Sequence, residues 1–244
     1  MSNAYELVAE VRRAIAATGD PARALAQQAY MKSTMPYQGI TSAELKALLR
    51  PIMNDRRAEF PDQVSWSAAI LDLWDDAVVR EHRYAALAVA RHRGSKRWRT
   101  PGTLTLYEHL IVTGAWWDLV DDTASHLVGD LLRRYPCEVA PTIYAWTTTN
   151  NLWLRRASLI CQLGRKQATD LDLLTAAVIR NLEGTESAGP NGRQDFFIRK
   201  AIGWALRDYS RTDPDWVRRF VEAHRPQMAG LTIREALSHV RSPV

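Results

Sequence analysis

Apolar side chains recur along nearly the whole chain at three- and four-residue intervals, the period of a helix that buries one face. Polar caps and breakers punctuate this pattern. An amphipathic helix carrying Glu6 and Glu10 opens the chain, and Asp20-Pro21 predicts an N-cap with proline at the first helical position of a second helix running towards Tyr30. After the Pro36–Gly39 break, Thr41-Ser-Ala-Glu44 has the form of a capping box for a helix that reaches about Asn54 and tolerates Pro51 near its end. Phe60-Pro61 separates it from two helices between Val64 and His92. A basic loop, Arg93–Pro101, follows, and Thr103 or Thr105 caps the next helix. A helix containing Trp117 ends near Arg134, before Tyr135-Pro136. Asn150 or Asn151 starts another over Leu152–Ile160, and Asp170 caps one running to about Leu182. The glycine- and polar-rich stretch Gly184–Gly192 reads as a surface loop. Beyond it the pattern predicts a long helix from about Gln194 to Ser210, one capped by Asp213-Pro214, and a last one behind a second capping box, Thr232–Glu235.

About a dozen helices and no convincing strand predict an all-α protein. A basic residue followed by small and aliphatic positions recurs at Arg83–Leu87, Arg156–Leu159 and Lys200–Ile202. Those intervals match one or two units of the size of HEAT or armadillo helix pairs. The expectation is one domain spanning residues 1–244, a right-handed superhelical solenoid of HEAT-like pairs with a concave basic groove.

The stretch Thr113–Asp122 stands out within this pattern. At roughly 100° per residue, Trp116, Leu119, Val120, Ala124, Leu127 and Leu131 form a buried stripe. Trp117 is rotated off that stripe with Asp121 four residues on, so an indole and a carboxylate share one flank. Such a pair can hold a cation. The plainer alternative is that Trp117 covers a helix joint and Asp121 pairs with an arginine. Trp66, Trp74, Trp146 and Trp153 read as packing joints.

Charge sharpens the choice. The 244 residues carry a formal net charge of +5, with 27 arginines against five lysines. Seven basic residues, including Arg93, Lys96, Arg97 and Arg99, crowd between Arg80 and Arg99 beside a single acid, Glu81. That density suits a polyanion. Six scattered histidines, with no ligand spacing among His82, His92, His109 and His126, give no support for a metal site. Cys137 and Cys161 read as free thiols of a reducing compartment. No apolar run is long enough to cross a bilayer and no signal peptide is visible, so a cytoplasmic protein without a membrane partner is expected; a monomer is expected as well.

Several local stretches together resemble the AlkD family of alkylpurine DNA glycosylases: Ala29–Gly39, Trp116–Asp121, Leu152–Ala157 and above all Phe196–Tyr209, with Asp213–Trp216 behind it. The resemblance implies a HEAT-like helical protein that excises positively charged N3- and N7-alkylated purines from duplex DNA, without base flipping and without a cofactor or metal. It further implies that Trp117, Asp121, Arg156 and Trp204 line the lesion cleft with Tyr30 nearby. Asp121 would be the catalytic carboxylate and Arg156 a clamp on a backbone phosphate; the alternative for Arg156 is an ion pair with Asp121 or a helix neighbour. Tyr37 competes with Tyr30 for its place.

The chemistry of the residues is compatible with that role. A cationic purine leaves without protonation, so the site must stabilise the sugar as it becomes an oxocarbenium ion. Indole faces attract positive charge by about 0.5–2 kcal/mol each, and an ionised carboxylate adds more where water is excluded. A noncatalytic helical scaffold that binds DNA or a protein partner is the competing reading. It would have no use for a carboxylate facing a phosphate backbone.

Overall fold

The computed structural model describes residues 3–54, 60–182 and 195–240. Among these, all regular structure is helical, and the residues fall into two compact units that divide between Thr103 and Leu104. The Gly184–Gly192 stretch lies outside the described residues.

The first unit contains α1 (Asn3–Ala16), α2 (Pro21–Met31), α3 (Ser42–Asn54), α4 (Gln63–Asp75) and α5 (Arg80–Arg91), followed by 3-10 turns at Arg93–Trp98 and Pro101–Thr103. The caps form as the sequence predicts. Asp20 accepts from the N–H groups of Ala22 and Arg23, and Thr41 and Glu44 exchange reciprocal bonds, Glu44 N to Thr41 Oγ1 at 3.2 Å and Thr41 N to Glu44 Oε2 at 2.8 Å. α1 packs on α3, α4 and α5, burying Leu7, Val11 and Ile15 completely. α4 and α5 pack closely, with Trp66 and Trp74 sealed at 0% exposure, Trp66 Nε1 donating to the Val89 carbonyl at 3.4 Å, and Ala85, Ala86 and Ala90 of α5 fully buried. Gly39, at φ 87°, lies so close to Asp20 that any Cβ would collide with the Asp20 carbonyl, so a side chain is excluded on both counts.

The second unit contains α6 (Leu104–Gly114), α7 (Trp117–Asp122), α8 (Gly129–Arg134), α9 (Pro136–Trp146), α10 (Leu152–Ile160), α11 (Leu171–Ile179), α12 (Phe196–Tyr209), α13 (Pro214–His224) and α14 (Gly230–Ala236). α10 is its hub, touching α6, α7, α9, α11 and α12. Asn151, Asp170, Asp195 and Asp213 cap α10, α11, α12 and α13 through their side chains. α12 and α14 approach closely because position 203 is glycine: a Cβ there would strike the Cβ of Glu235.

Three local readings are corrected. Residues Arg93–Trp98 form a 3-10 turn and not an open loop. α9 escapes the sequence pattern because Pro141 interrupts it; the helix accommodates Pro141 one turn after Pro136 has started it. Thr232–Glu235 is no capping box, since both residues lie inside α14 and turn to α12. Thr232 donates to the Arg199 carbonyl at 3.2 Å, and Glu235 pairs with Lys200 and Arg207.

Candidate active site

The corner between α6 and α7 sets the geometry. Ala115 takes φ 41°, a left-handed conformation that L side chains rarely adopt, and Trp116 follows in extended backbone as the N-cap of α7. The chain reverses there and presents Trp117 at the first helical position, 38% exposed. Leu119, Val120, Ala124, Leu127 and Leu131 are all fully buried, as the stripe predicts. Trp116, assigned to that stripe, instead precedes the helix and joins an aromatic cluster. α7 runs on through a π-helical segment, Thr123–Val128, into α8. This wider turn adds Thr123 and Val128 to the buried face, and such segments are often found beside functional residues.

Asp121 lies one turn after Trp117, where its carboxylate meets α10. Arg156 Nε donates to Asp121 Oδ1 and Arg156 Nη2 to Oδ2, each at 2.7 Å, while Nη1 donates to the Phe197 carbonyl at 2.6 Å. Of the two readings of Arg156, the structure shows the ion pair with Asp121. Its side chain is only 6% exposed, and all three of its nitrogens already have acceptors within the protein. The two-pronged geometry is what a guanidinium fork makes with a carboxylate. Asp121 remains 15% exposed at its side chain, so the pair is not sealed. Burial pushes the Asp121 carboxyl above its usual range, Arg156 pulls it back, and the nearby Asp118 carboxylate adds a smaller upward push.

A second ring of residues supports this pair. Phe197 packs on Trp153 at 5.0 Å and on Trp116 at 5.4 Å between ring centroids, and Trp116 and Trp153 lie 6.1 Å apart. Trp204, half-buried, is seven residues beyond Phe197 on α12 and so shares its helix face. The structure thus joins Asp121 to Arg156 directly, puts Trp117 one turn from Asp121, and aligns Trp204 with Phe197.

The remaining predicted contacts belong to the first unit. Tyr30 projects from α2 at 79% exposure, whereas Tyr37 is buried and its hydroxyl bonds that of Tyr84 at 3.0 Å, so of the two only Tyr30 offers an open ring. Arg93, Lys96 and Arg97 are exposed. Arg97 also stacks on Trp98 and donates to the Phe60 carbonyl. Arg99 departs from expectation: it is buried and donates to the His92 carbonyl at 2.9 Å, which turns it away from solvent. Arg80 is buried as well, and Arg83 lies over the Trp74 ring. The outward part of the basic run is therefore Arg91, Arg93, Lys96 and Arg97.

A family model for DNA alkylation repair enzymes matches residues 11–240. The chain belongs to the DNA alkylation repair enzyme family. A solved structure of a predicted DNA alkylation repair enzyme from Enterococcus faecalis is similar to this family member over 93% of its chain and 98% of the other, at 29% identity and a TM-score of 0.77. No curated protein matches the sequence. Membership supports a role in DNA repair and makes DNA the expected partner of the family member. Sequence reasoning missed the Phe197 carbonyl as the third acceptor of Arg156, the Trp116–Trp153–Phe197 cluster and the strained Ala115 corner. Only the density of aromatics around positions 116, 153 and 197 hinted at them.

Proposed function

We propose that this repair enzyme is a DNA glycosylase that hydrolyses the N-glycosidic bond of positively charged N3- and N7-alkylated purines in duplex DNA, the lesion remaining stacked and no cofactor taking part. The observation that carries the reading is the Asp121 carboxylate: held by Arg156 through both oxygens, still partly open, and one helical turn from a solvent-exposed indole. An ionised carboxylate has about four lone-pair positions. Arg156 occupies one on each oxygen. The others are left for a water or a developing cation.

In this mechanism the alkylated purine departs with the bonding electron pair and loses its formal charge. The C1′ centre gains positive charge, which Asp121 and the π-faces of Trp117 and Trp204 stabilise. Asp121 then orients the attacking water and takes its proton. No second acid is needed, because the leaving group is already cationic. Arg156 acts through Asp121 by fixing the carboxylate's orientation. Arg93, Lys96 and Arg97, together with Tyr30, supply contacts to the DNA, which give affinity without sequence selectivity.

The Asp121–Arg156 ion pair also fits a second reading, a noncatalytic helical scaffold in which the pair is only structural. Incubating the protein with methylated duplex DNA separates the two. Free 7-methylguanine or 3-methyladenine together with abasic sites supports the glycosylase, and binding without base release supports the scaffold.

A further inference from the structure

We infer that Trp116 is a positioning residue for this reaction: its ring and its backbone together lock Trp117, Asp121 and Arg156 into one geometry. The inference rests on the glycosylase reading and goes beyond it, because Trp116, half-buried, is not among the groups that reading sets against the DNA.

Two routes of control start at this residue. Through its backbone, the Trp116 carbonyl accepts from the N–H groups of Leu119 at 3.2 Å and Val120 at 3.0 Å, so it opens the turn that carries Trp117 and Asp121. Through its ring, Trp116 meets the edge of Phe197 at 65° between planes and leans on Trp153, which joins the start of α7 to α10 and α12. Phe197 is itself pinned, its N–H donating to Asp195 at 2.7 Å and its carbonyl accepting from Arg156 at 2.6 Å. Arg156 then holds Asp121 by both oxygens. The path from the Trp116 ring through Phe197 and Arg156 to Asp121, and back along α7 to Trp116, is a closed loop.

Two further observations show that this placement is maintained against local cost. Ala115, the preceding residue, is held in the left-handed region at φ 41°. The indole Nε1 of Trp116 is buried and has no acceptor among the described residues. A buried donor without a partner destabilises the folded state, so the indole is there for its ring contacts and not for its N–H. That separates two substitutions that would otherwise look alike. Trp116→Phe keeps an aromatic wedge and removes the orphan donor. Trp116→Leu keeps apolar volume and loses the flat ring that Phe197 abuts.

The test is single-turnover release of 7-methylguanine from methylated duplex DNA at saturating protein, with the Kd for unmodified duplex and the Tm measured on the same preparations. Misplacing reacting groups by about an ångström costs on the order of a hundredfold in rate. Trp116→Leu should lower the release rate at least about tenfold while Kd stays within about twofold, and Trp116→Phe should stay within about threefold of wild type with an equal or higher Tm. Should Trp116→Leu fail to fold, Phe197→Leu, which removes the opposite side of the same contact and leaves the carbonyl in place, should give the same split. A wild-type release rate in the leucine variant that folds, or a loss in Trp116→Phe as large as in Trp116→Leu, overturns the inference. The Asp121→Asn variant run alongside keeps the two levels distinct. If it abolishes release while Trp116→Leu does not, only the positioning role fails; if wild type releases nothing, the glycosylase reading fails and takes this one with it.

Discussion

Two carboxylates, one in each unit, are satisfied in opposite ways, Glu81 fully buried and Asp121 half-buried. Glu81, fully buried in the first unit, accepts from three consecutive backbone N–H groups, those of Gln38, Gly39 and Ile40, at 2.9, 3.0 and 3.1 Å. Every donor is main chain, so the group works as a staple for the loop between α2 and α3. Asp121 is held by one side chain, keeps part of its surface open, and has the exposed Trp117 a turn away. A structural carboxylate needs saturation. A reacting one needs orientation with lone pairs to spare. Burial alone would rank Glu81 first as a site, and the identity of the donors reverses that order.

Arg156→Ala is the harshest way to break the comparison, because it leaves Asp121 in a desolvated site with no cation. Losing one partner of a buried pair costs about 3–5 kcal/mol, so the variant should show a large fall in denaturation midpoint together with loss of base release. Arg156→Lys should recover little of either, since an ammonium cannot span both carboxylate oxygens and also reach the Phe197 carbonyl.

Glu81→Gln should be milder and of a different kind. The amide retains an acceptor but loses the charge that strengthens the bonds, an effect of about 1.5–3 kcal/mol. Chemical denaturation should register that loss while base release per folded molecule is unchanged. A selective collapse of release in Glu81→Gln would erase the distinction between the two groups.

The pH dependence sharpens the contrast further. Burial raises the Asp121 carboxyl above its unfolded value despite Arg156. The native state therefore binds this proton more tightly than the unfolded chain. Its contribution to stability is complete below the unfolded value and is lost as pH rises through the folded one. Activity moves the other way, since the ionised form is required. The acid limb of the release rate should consequently lie above the range of an ordinary aspartate, and Asp121→Glu, if active, should shift it.

The smallest effect is expected at the strained corner. Ala115→Gly relieves the left-handed cost but adds freedom to the unfolded chain, and the two nearly cancel to within about 0.5 kcal/mol. Ala115→Val, with a branched side chain at φ 41°, should cost more than about 1 kcal/mol. Thermal melts of the two variants check the difference in sign and size.

What the sequence made legible follows from how local each determinant is. Helix starts at Asp20, Thr41, Asn151, Asp170 and Asp213 depend on side chains bonding backbone two or three residues away, and all five form. The stripe behind Trp117 depends only on helical period, and its helical members are buried. Direction across helices is another matter. Arg156 is 35 residues from Asp121 and could equally have pointed at a phosphate; the Phe197 carbonyl, 41 residues away, decides that it turns inward. Arg99 and Glu235 likewise find partners fixed by packing and not by spacing. The resemblance implies Trp117, Asp121, Arg156 and Trp204 as a group, whereas the packing of Trp116 on Phe197 and the bond from Arg156 to the Phe197 carbonyl are visible only with the fold.

The most direct test is to compare wild type and Asp121→Asn for single-turnover release of 7-methylguanine from methylated duplex DNA, with DNA affinity measured in parallel. In Asp121→Asn, release should fall by at least about a hundredfold, the size expected for removing a group that stabilises charge in the transition state, while affinity is unchanged or tighter because a charge that repels phosphate has gone. Equal release by the two proteins would contradict a catalytic Asp121.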